Sequence, residues 1–246
     1  MIAAQDLHAA YRDRAVLRGV TLRLADGELT GVIGPNGAGK SSLLKVLARL
    51  LPPSRGTVTL GGRDLYRTFS ARQAARRVAL LPQDEAAAFP LTVRELVGLG
   101  RTPYLNAFGW FSPADVRAVD RAVSALGLRA LAERPLGELS GGERKRASVA
   151  RALAQEASVL LLDEPAAHLD PGHAAALFAV LRRLARAGRT VMVAAHELSL
   201  LAHHCDRLLL VDRGRVVLDG RPKRVLASAV TARAFGVPRG SLRGWG

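Results

Sequence analysis

A glycine-rich loop between an apolar segment and a helical segment constrains this chain more than any other stretch. Residues 34–41 fit the pattern G-x-x-x-x-G-K-[ST], in which a loop wraps around a phosphate group. Apolar residues 29–33 precede the loop and predict a buried strand, and residues 41–47 follow it with helical spacing. Strand, loop and helix in this order are the context that the motif requires. The sequence therefore predicts an α/β fold that binds a phosphate between a strand and a helix.

Each residue type in the loop has a physical reason. Glycines let backbone N–H groups turn inward around a phosphate, and the helix N-terminus adds partial positive charge there. Lys40 should reach the β- and γ-phosphates of a nucleotide, and the Ser41 hydroxyl should bind Mg²⁺. The candidate nucleotide-binding residues of this segment are Gly34, Pro35, Asn36, Gly37, Ala38, Gly39, Lys40, Ser41 and Ser42.

Two other interpretations of the loop stay open from the residues alone. A glycine-rich turn before an ordinary helix would need no ligand. A dinucleotide-binding loop would read G-x-G-x-x-G without a Lys–Ser pair, so Lys40 and Ser41 count against it.

The composition fits a globular protein of a reducing compartment. Of the 246 residues, 49% are hydrophobic and only 4% aromatic, so the core must be aliphatic. Cys205 is the single cysteine, which excludes an internal disulfide. We expect neither a signal peptide nor a membrane span, because no basic start with a long apolar run is present. The sequence thus predicts a cytoplasmic location.

The net charge of +15 is the compositional feature that bears on partners. It allows either nucleic acid or an anionic membrane surface. The arginines are scattered, however, and few aromatic residues stand among them to stack on bases. We therefore expect a solvated basic face and no specific nucleic acid partner.

Apolar spacing predicts a mixed α/β core interrupted by helices. The flanks of the chain alternate strand and helix, whereas residues 84–155 contain predicted helices at 91–101, at 112–126 and from 140 to about 155. The predicted fold class is a P-loop NTPase core, with a mixed sheet flanked by helices, an N-terminal antiparallel β part and an inserted helical subdomain. The predicted divisions are one domain at 1–236, made of a core at 1–83 and 156–220 and the helical subdomain at 84–155, and a short tail at 237–246.

The helix predicted after residue 139 begins with a combination that capping explains only in part. Ser140 and Glu143 fit the S-x-x-E capping box, in which each side chain satisfies the other's free backbone donor. The box does not explain Gly141 and Gly142, since glycine is a poor helix former. Glycines at a bare helix N-terminus are useful where an anion must approach the backbone closely.

Acidic residues follow an apolar run that begins at Ser158. Such a run predicts a strand buried on both faces, as in a parallel sheet, and ligands bind beyond the carboxyl ends of these strands. Asp163 would then face Mg²⁺, and Glu164 would polarise an attacking water. A solvated turn with two acids is the alternative.

Two further residues are candidates by position. His196 follows a predicted strand at 190–195 and can donate a hydrogen bond to a phosphate, and its spacing from the later histidines matches no zinc site. Tyr11 lies upstream of the phosphate loop, where it could stack on a nucleotide base or simply pack within a strand.

With these motifs in this order, the chain resembles the nucleotide-binding subunits of ABC transporters over nearly its whole length. Residues 34–41 correspond to the Walker A loop, and 159–164 to Walker B with its catalytic glutamate. Residues 139–143 correspond to the signature motif, usually written LSGGQ. The residues that match the family's Q-loop, D-loop, switch and A-loop are Gln83, Asp170, His196 and Tyr11.

The resemblance implies an ATPase that uses ATP and Mg²⁺. Its catalytic residues would be Glu164, His196, Gln83 and Lys40, and its Mg²⁺ ligands would be Ser41, Gln83 and Asp163. Two copies would pair head to tail, so that Ser140, Gly141 and Gly142 of one copy close over the γ-phosphate in the site of the other. Asp170 would be a further nucleotide-binding residue. Glu143, in place of the usual glutamine, and His168, in place of the usual alanine, depart from the family pattern at this dimer interface.

Within the family, residues 81–83, 92–104 and 164–170 are similar to importers of iron–siderophore, haem and cobalamin. The resemblance implies a subunit that energises uptake of a metal chelate from the cytoplasmic face of the membrane. Its implied partners are a second copy, integral membrane permease subunits and a solute-binding protein. The alternatives are an ABC ATPase for another solute and a soluble ABC-type ATPase in nucleic-acid or assembly processes.

Overall fold

The computed structural model describes residues 1–83, 90–106 and 108–238. Within these ranges the strands are β1 (Ile2–Tyr11), β2 (Arg14–Leu24), β3 (Leu29–Ile33), β4 (Arg55–Leu60), β5 (Arg63–Asp64), β6 (Val78–Leu81), β7 (Val159–Asp163), β8 (Thr190–Ala194), β9 (Arg207–Asp212) and β10 (Arg215–Gly220). The helices are α1 (Lys40–Leu47), α2 (Ala71–Ala75), α3 (Val93–Gly98), α4 (Pro113–Ala125), α5 (Gly141–Ala154), α6 (Pro171–Arg186), α7 (Leu198–His204), α8 (Pro222–Leu226) and α9 (Ala229–Phe235). Residues 84–89 and 107 of the predicted helical subdomain, and 239–246 of the predicted tail, lie outside the described residues.

Two sheets form the α/β part of the molecule. The first is antiparallel, with strand order β2-β1-β4-β5. The second has the order β10-β9-β3-β8-β7-β6 and is parallel except for the β9–β10 pair. Every residue of β3, β7 and β8 is buried, as expected for parallel strands that are covered on both faces. The predicted mixed sheet with an N-terminal antiparallel part is confirmed.

Reciprocal hydrogen bonds set where the helices of the insertion begin. Thr92, Ser112 and Ser140 each accept a hydrogen bond from the N–H three residues ahead, and the acid at that position accepts one from the capping residue's N–H. These local bonds explain why α4 and α5 begin where the sequence predicts.

The predicted helix over residues 91–101 is wrong in length. Its α-helical part covers Val93–Gly98, and a 3₁₀ segment follows at Leu99–Tyr104. A Cβ atom at Gly100 would lie 2.2 Å from the carbonyl oxygen of Arg151, so the segment runs directly against α5. This close approach, together with a proline inside the segment, favours the tighter 3₁₀ turn.

Helix α5 shares an apolar core with the parallel sheet. Val149 of α5 belongs to the same buried cluster as Leu160 of β7 and Val193 of β8. A second cluster holds residues of both sheets and of α1, among them Ile2 and Leu161. Leu160 and Leu161 are neighbours in β7 but belong to different clusters, because successive side chains of a strand point to opposite faces. The parallel sheet and α5 are therefore held together by continuous packing.

A buried ion pair joins the 3₁₀ segment to α4. Arg101 Nε donates to Asp115 Oδ1 at 2.8 Å, and both side chains are 5% exposed. Another Arg101 nitrogen donates to the Ala154 carbonyl at 2.8 Å and to Glu156 at 3.1 Å. Burial raises the pKa of Asp115, but hydrogen bonds from Ser112 and Arg101 outweigh it and leave the pKa below its usual value. This network connects α4 to the end of α5.

No helix among the described residues combines the length and the apolar character that crossing a bilayer requires.

Candidate functional site

A cavity of about 610 Å³ opens where parallel strands of the second sheet end. β3 leads into the glycine-rich loop, Glu164 follows β7, and His196 lies just beyond β8. These residues converge because the carboxyl ends of parallel strands lie at one edge of the sheet. The cavity is lined by Tyr11, Arg14, Val16, Asn36, Gly37, Ala38, Gly39, Lys40, Ser41, Ser42, Gln83, Glu164 and His196.

The glycines of the loop serve different purposes. Gly34 and Gly39 have φ angles of +152° and +109°, and a Cβ atom there would lie 2.0 Å from the Val211 oxygen or 2.8 Å from the Val16 oxygen. Close packing against other strands therefore requires glycine at these two positions. Gly37 has no atom within 4 Å of where its Cβ would be, so its backbone faces open space in the cavity. Only this last glycine fits the expectation of backbone left free for a phosphate.

Lys40 begins α1 and its ammonium group lies inside the loop. Its Nζ donates to the carbonyl oxygens of Gly34 at 2.7 Å and Pro35 at 3.1 Å. Burial lowers the pKa of Lys40, and the nearby carboxylates of Glu164 and Asp163 raise it in part. The loop thus holds a poorly solvated cation, which a phosphate group would neutralise.

Asp163, at the end of β7, is buried beside the start of α1. Burial raises the pKa of Asp163, while a hydrogen bond with Ser41 and the charge of Lys40 lower it in part. The Ser41 hydroxyl, the Asp163 carboxylate and the side-chain amide of Gln83 in the cavity lining all carry oxygen atoms. Mg²⁺ prefers oxygen ligands of this kind. The donor set present in this structure therefore fits Mg²⁺, with Ser41 and Asp163 already in contact.

Glu164 and His196 meet across the cavity. His196 Nε2 lies 2.6 Å from Glu164 Oε1, and the histidine is more exposed than the carboxylate. Glu164 has a φ of +52°, in the left-handed region, and its N–H donates to the Ala194 oxygen at 2.8 Å. The Glu164 carboxylate can orient a water molecule, and the His196 ring places a hydrogen bond donor beside it. The sequence placed both residues at strand ends but gave no signal for their contact or for the left-handed backbone.

Tyr11 lines the cavity at the end of β1 and is partly exposed, with the Lys45 ammonium 5.9 Å from its ring centre. Arg14 and Val16 line the same region, and sequence reasoning missed both. The short turn after Tyr11 could have indicated these two residues, because it makes Arg14 the cross-strand partner of Tyr11 and starts β2 beside the cavity.

Gln83 lines the cavity and also touches the insertion. Its carbonyl accepts a hydrogen bond of 3.4 Å from Lys145, which lies on α5. The site is thereby connected to the helix that carries the signature segment.

Ser140, Gly141 and Gly142 do not line this cavity. The Ser140 N–H donates to Glu143 Oε2 at 2.8 Å, and the Glu143 N–H donates back to Ser140 Oγ at 3.2 Å, so the predicted capping box is confirmed. These hydrogen bonds lower the pKa of Glu143. A Cβ atom at Gly141 would meet nothing within 4 Å, and one at Gly142 would lie 3.4 Å from the oxygen of His168. Residues 139–143, the predicted signature segment, therefore lie beside His168 and Leu169, with one side open.

Asp170 also lies outside the cavity. It caps α6 by accepting a hydrogen bond from the His173 N–H at 3.0 Å, and its carboxylate contacts the His173 ring. These bonds lower the pKa of Asp170 to about 2. The cavity within one chain thus contains the phosphate loop and the residues from strand ends, while Asp170 and the signature segment form a separate surface. Of the other predicted site residues, Gly34, Pro35 and Asp163 are not in the lining of the cavity.

Comparison with known proteins gives consistent matches. A family model described as ABC transporter matches residues 17–167. A cobalamin import ATP-binding protein of Halobacterium salinarum is 45% identical over 221 residues, which are 89% of this chain and 55% of that protein. This chain therefore spans about half the length of that relative. A hemin import ATP-binding protein of Pseudomonas putida is 41% identical over 242 residues, which are 96% of this chain and 93% of that protein.

Among solved structures, a metal-chelate type ABC transporter in an inward-facing conformation has a TM-score of 0.82 at 26% identity. The match covers 96% of this chain and 89% of that chain.

Proposed function

This chain belongs to the ABC transporter family, and from that premise we propose that it is the ATP-hydrolysing subunit of an importer for a metal chelate. One observation carries the ATPase part: the contact of 2.6 Å between Glu164 and His196 in the cavity that also contains Lys40 and Ser41. The import part is supported by the relatives named for cobalamin and hemin import. We propose cobalamin, haem or an iron–siderophore as the solute.

In the proposed reaction, each residue of the cavity has one task. The loop N–H groups and Lys40 bind the phosphates of ATP, and Tyr11 stacks on the base. Ser41, Asp163 and Gln83 would hold Mg²⁺, which neutralises negative charge on the β- and γ-phosphates. Glu164 accepts a hydrogen bond from the attacking water and orients it.

His196 contributes to the same reaction from beside Glu164. Its Nε2 contact holds the Glu164 carboxylate in place in this structure, and with ATP bound the same N–H would donate to a γ-phosphate oxygen instead. The water oxygen bonds to the γ-phosphorus, and the bond from that phosphorus to the bridging oxygen breaks, so that this oxygen leaves with ADP. The water gives a proton to Glu164, which passes it on to the phosphate product.

We propose that a second copy completes the site. Ser140, Gly141 and Gly142 lie outside the cavity of their own chain, and Gly141 faces open space. In a head-to-tail pair this helix N-terminus would face the γ-phosphate of the other copy, with Asp170 beside it. ATP would then hold two copies together until it is hydrolysed.

The proposed helical subdomain, residues 84–155, offers a surface for the permease. An apolar groove of about 450 Å³ lies between α3, the 3₁₀ segment and α4. Leu99, Phe111 and Val116 line it and are exposed. Gln83 of the cavity lining accepts a hydrogen bond from Lys145 of α5, which gives the ATP site one contact with the proposed subdomain.

The experiment that tests this function is a pull-down from detergent-solubilised membranes. The bait is the tagged Glu164→Gln chain with ATP and Mg²⁺, which should remain in the ATP-bound form. We expect a polytopic membrane protein to co-purify. Recovery of soluble proteins or nucleic acid alone would overturn the transport function and leave the ATPase chemistry standing.

A matched variant tests the groove. Leu99→Asp with Val116→Asp in the same bait should lose the membrane protein and keep ATP binding, because both residues lie away from the cavity. Undiminished capture would exclude the groove as the docking surface.

The solute is then tested with the captured permease. After reconstitution into vesicles with this chain, uptake of labelled cobalamin, hemin and a ferric siderophore is compared. Stimulated uptake of one of them supports the proposed solute class, and uptake of none contradicts it.

A further inference from the structure

Four arginines gather on a surface that the ATPase site does not use. Arg117 and Arg121 lie on α4, Arg129 follows it, and Arg183 lies on α6. Together they surround a surface cavity of about 590 Å³, and we call this group the arginine patch. The sequence keeps α4 and α6 far apart, so only the fold brings these charges together. The patch gives a location to part of the net charge of +15.

In the part of the chain that the structure describes, carboxylates neutralise only one of the four arginines in the patch. Asp120 lies in its lining, but Asp120 binds Arg94 at 2.5 Å. Arg121 pairs with Glu156 at 2.7 Å. Among the described residues, no carboxylate forms an ion pair with the other three arginines of the patch. Because the guanidinium group matches the geometry of phosphate oxygens, an unneutralised cluster of this kind fits a phosphate-bearing anion.

The same helix connects the arginine patch to an apolar surface. Val116 and Val119 of α4 line the apolar groove, while their neighbours Arg117 and Arg121 line the patch. Just before α4, Phe108 and Trp110 are 84% and 72% exposed. A helix that carries apolar residues on one side and arginines on another, with exposed aromatic residues at its start, is typical of surfaces that meet the interface of a membrane.

We propose that the arginine patch binds the phosphate headgroups of anionic lipids at the cytoplasmic surface of the membrane. The proposal rests on the proposed function, since a permease in the groove would bring α4 close to the bilayer. Anionic headgroups there attract basic residues of a bound protein. The exposed aromatic residues favour a lipid surface over duplex DNA. Aromatic side chains make apolar contacts with a membrane interface, whereas the bases of a duplex are stacked on one another and do not offer their faces to a protein side chain. The patch would thus hold the subunit in one orientation against the membrane.

The test uses the full chain and vesicles that contain no permease. Binding to phosphatidylglycerol-rich vesicles is compared with binding to phosphatidylcholine vesicles by co-sedimentation at physiological salt. We expect preference for the anionic vesicles. The variant Arg117→Gln, Arg129→Gln, Arg183→Gln should lose affinity for them on the order of 100-fold, since each basic residue near an anionic surface contributes roughly fivefold.

A control variant removes the same charge elsewhere. Arg63→Gln, Arg215→Gln, Arg221→Gln changes three exposed arginines that lie outside the patch and outside the ATP cavity. We expect its vesicle binding to stay within a few-fold of the original chain. An equal loss in both variants would show diffuse attraction and overturn the proposal.

Other outcomes are equally decisive. No preference for anionic vesicles overturns the lipid contact, and it leaves the permease pull-down unaffected because that experiment depends on the groove. Tight binding of duplex DNA that the patch variant abolishes, with weak vesicle binding, would assign the arginine patch to nucleic acid instead. ATPase activity of the patch variant should match the original chain, since none of its residues lines the ATP cavity.

Discussion

At the residue scale, Glu164 is held in a backbone conformation that its residue type does not favour. Its φ of +52° lies in the left-handed region, which costs a non-glycine residue roughly 1 kcal/mol or more. The Ala194 carbonyl and the His196 ring hold it there, at 2.8 Å and 2.6 Å. Strained backbone of this kind persists where the surroundings fix it, which supports a role for the Glu164 carboxylate.

We expect Glu164→Gln to bind ATP and to hydrolyse it about a hundredfold more slowly, because the amide cannot accept the proton of the attacking water. ATP affinity and the rate of phosphate release are measured on the same preparation. The matched control is Glu197→Gln, an exposed neighbour of His196 that does not line the cavity. Near-normal turnover of Glu164→Gln would remove Glu164 from the catalytic role.

Lys40 gives a second prediction at this scale. Lys40→Met should abolish the rise in unfolding temperature that ATP and Mg²⁺ produce, because a ligand stabilises only the state that binds it. The buried ammonium is the cation that the loop offers to the phosphates. Lys223→Met, an exposed lysine on α8 outside the cavity lining, should retain the shift. An ATP-induced shift of normal size in Lys40→Met would contradict the proposed binding mode.

At the scale of elements, the insertion depends on a charge pair that links the 3₁₀ segment, α4 and α5. Asp115→Asn should destabilise the protein by about 3 kcal/mol, because it leaves the Arg101 charge buried without its closest carboxylate. This value is the low end of the range of about 3–5 kcal/mol for breaking a buried ion pair, since Glu156 remains a partner of Arg101. Urea unfolding measures the change. Arg134→Gln, which breaks the exposed pair with Glu138, should cost less than about 1 kcal/mol.

The pH dependence of this effect has a defined sign. Because the pKa of Asp115 is lowered in the folded state, its ion pair stabilises fully above the unfolded pKa of about 4. That stabilisation is lost as the pH falls through the lower folded pKa. The difference in unfolding free energy between Asp115→Asn and the original chain should therefore shrink on acidification below about pH 4. A difference that grows on acidification would exclude Asp115 as the ionised partner.

At the scale of the whole molecule, the cavity of one chain lacks the signature segment. Ser140→Arg should block ATP-dependent dimerisation of the Glu164→Gln chain, because a large cation at this open helix start would prevent close approach to the partner's ATP. Light scattering with and without ATP measures the dimer. Ser54→Arg, an exposed change away from the ATP cavity, is the control. A dimer that forms equally in Ser140→Arg would contradict site completion by a second copy.

The sequence by itself determined the structural features whose interacting residues are near neighbours in the chain. The strand, loop and helix around Lys40 and the capping boxes at Ser112 and Ser140 are of this kind, since each depends on bonds between near neighbours. The strand ends at Asp163 and His196 followed from apolar runs of limited length. These patterns were sufficient to predict the fold class and the edge of the sheet where the cavity lies.

Only the tertiary structure decided how distant segments meet. The close approach of Gly100 to α5 shortened a predicted helix, and packing of Gly34 against Val211 explained a glycine that phosphate binding alone does not require. The contact between Glu164 and His196 and the separation of Ser140 from the cavity arise in the same way. Local patterns fix which element forms, but the contacts between elements depend on shape and packing across the whole core, which no short stretch of sequence contains.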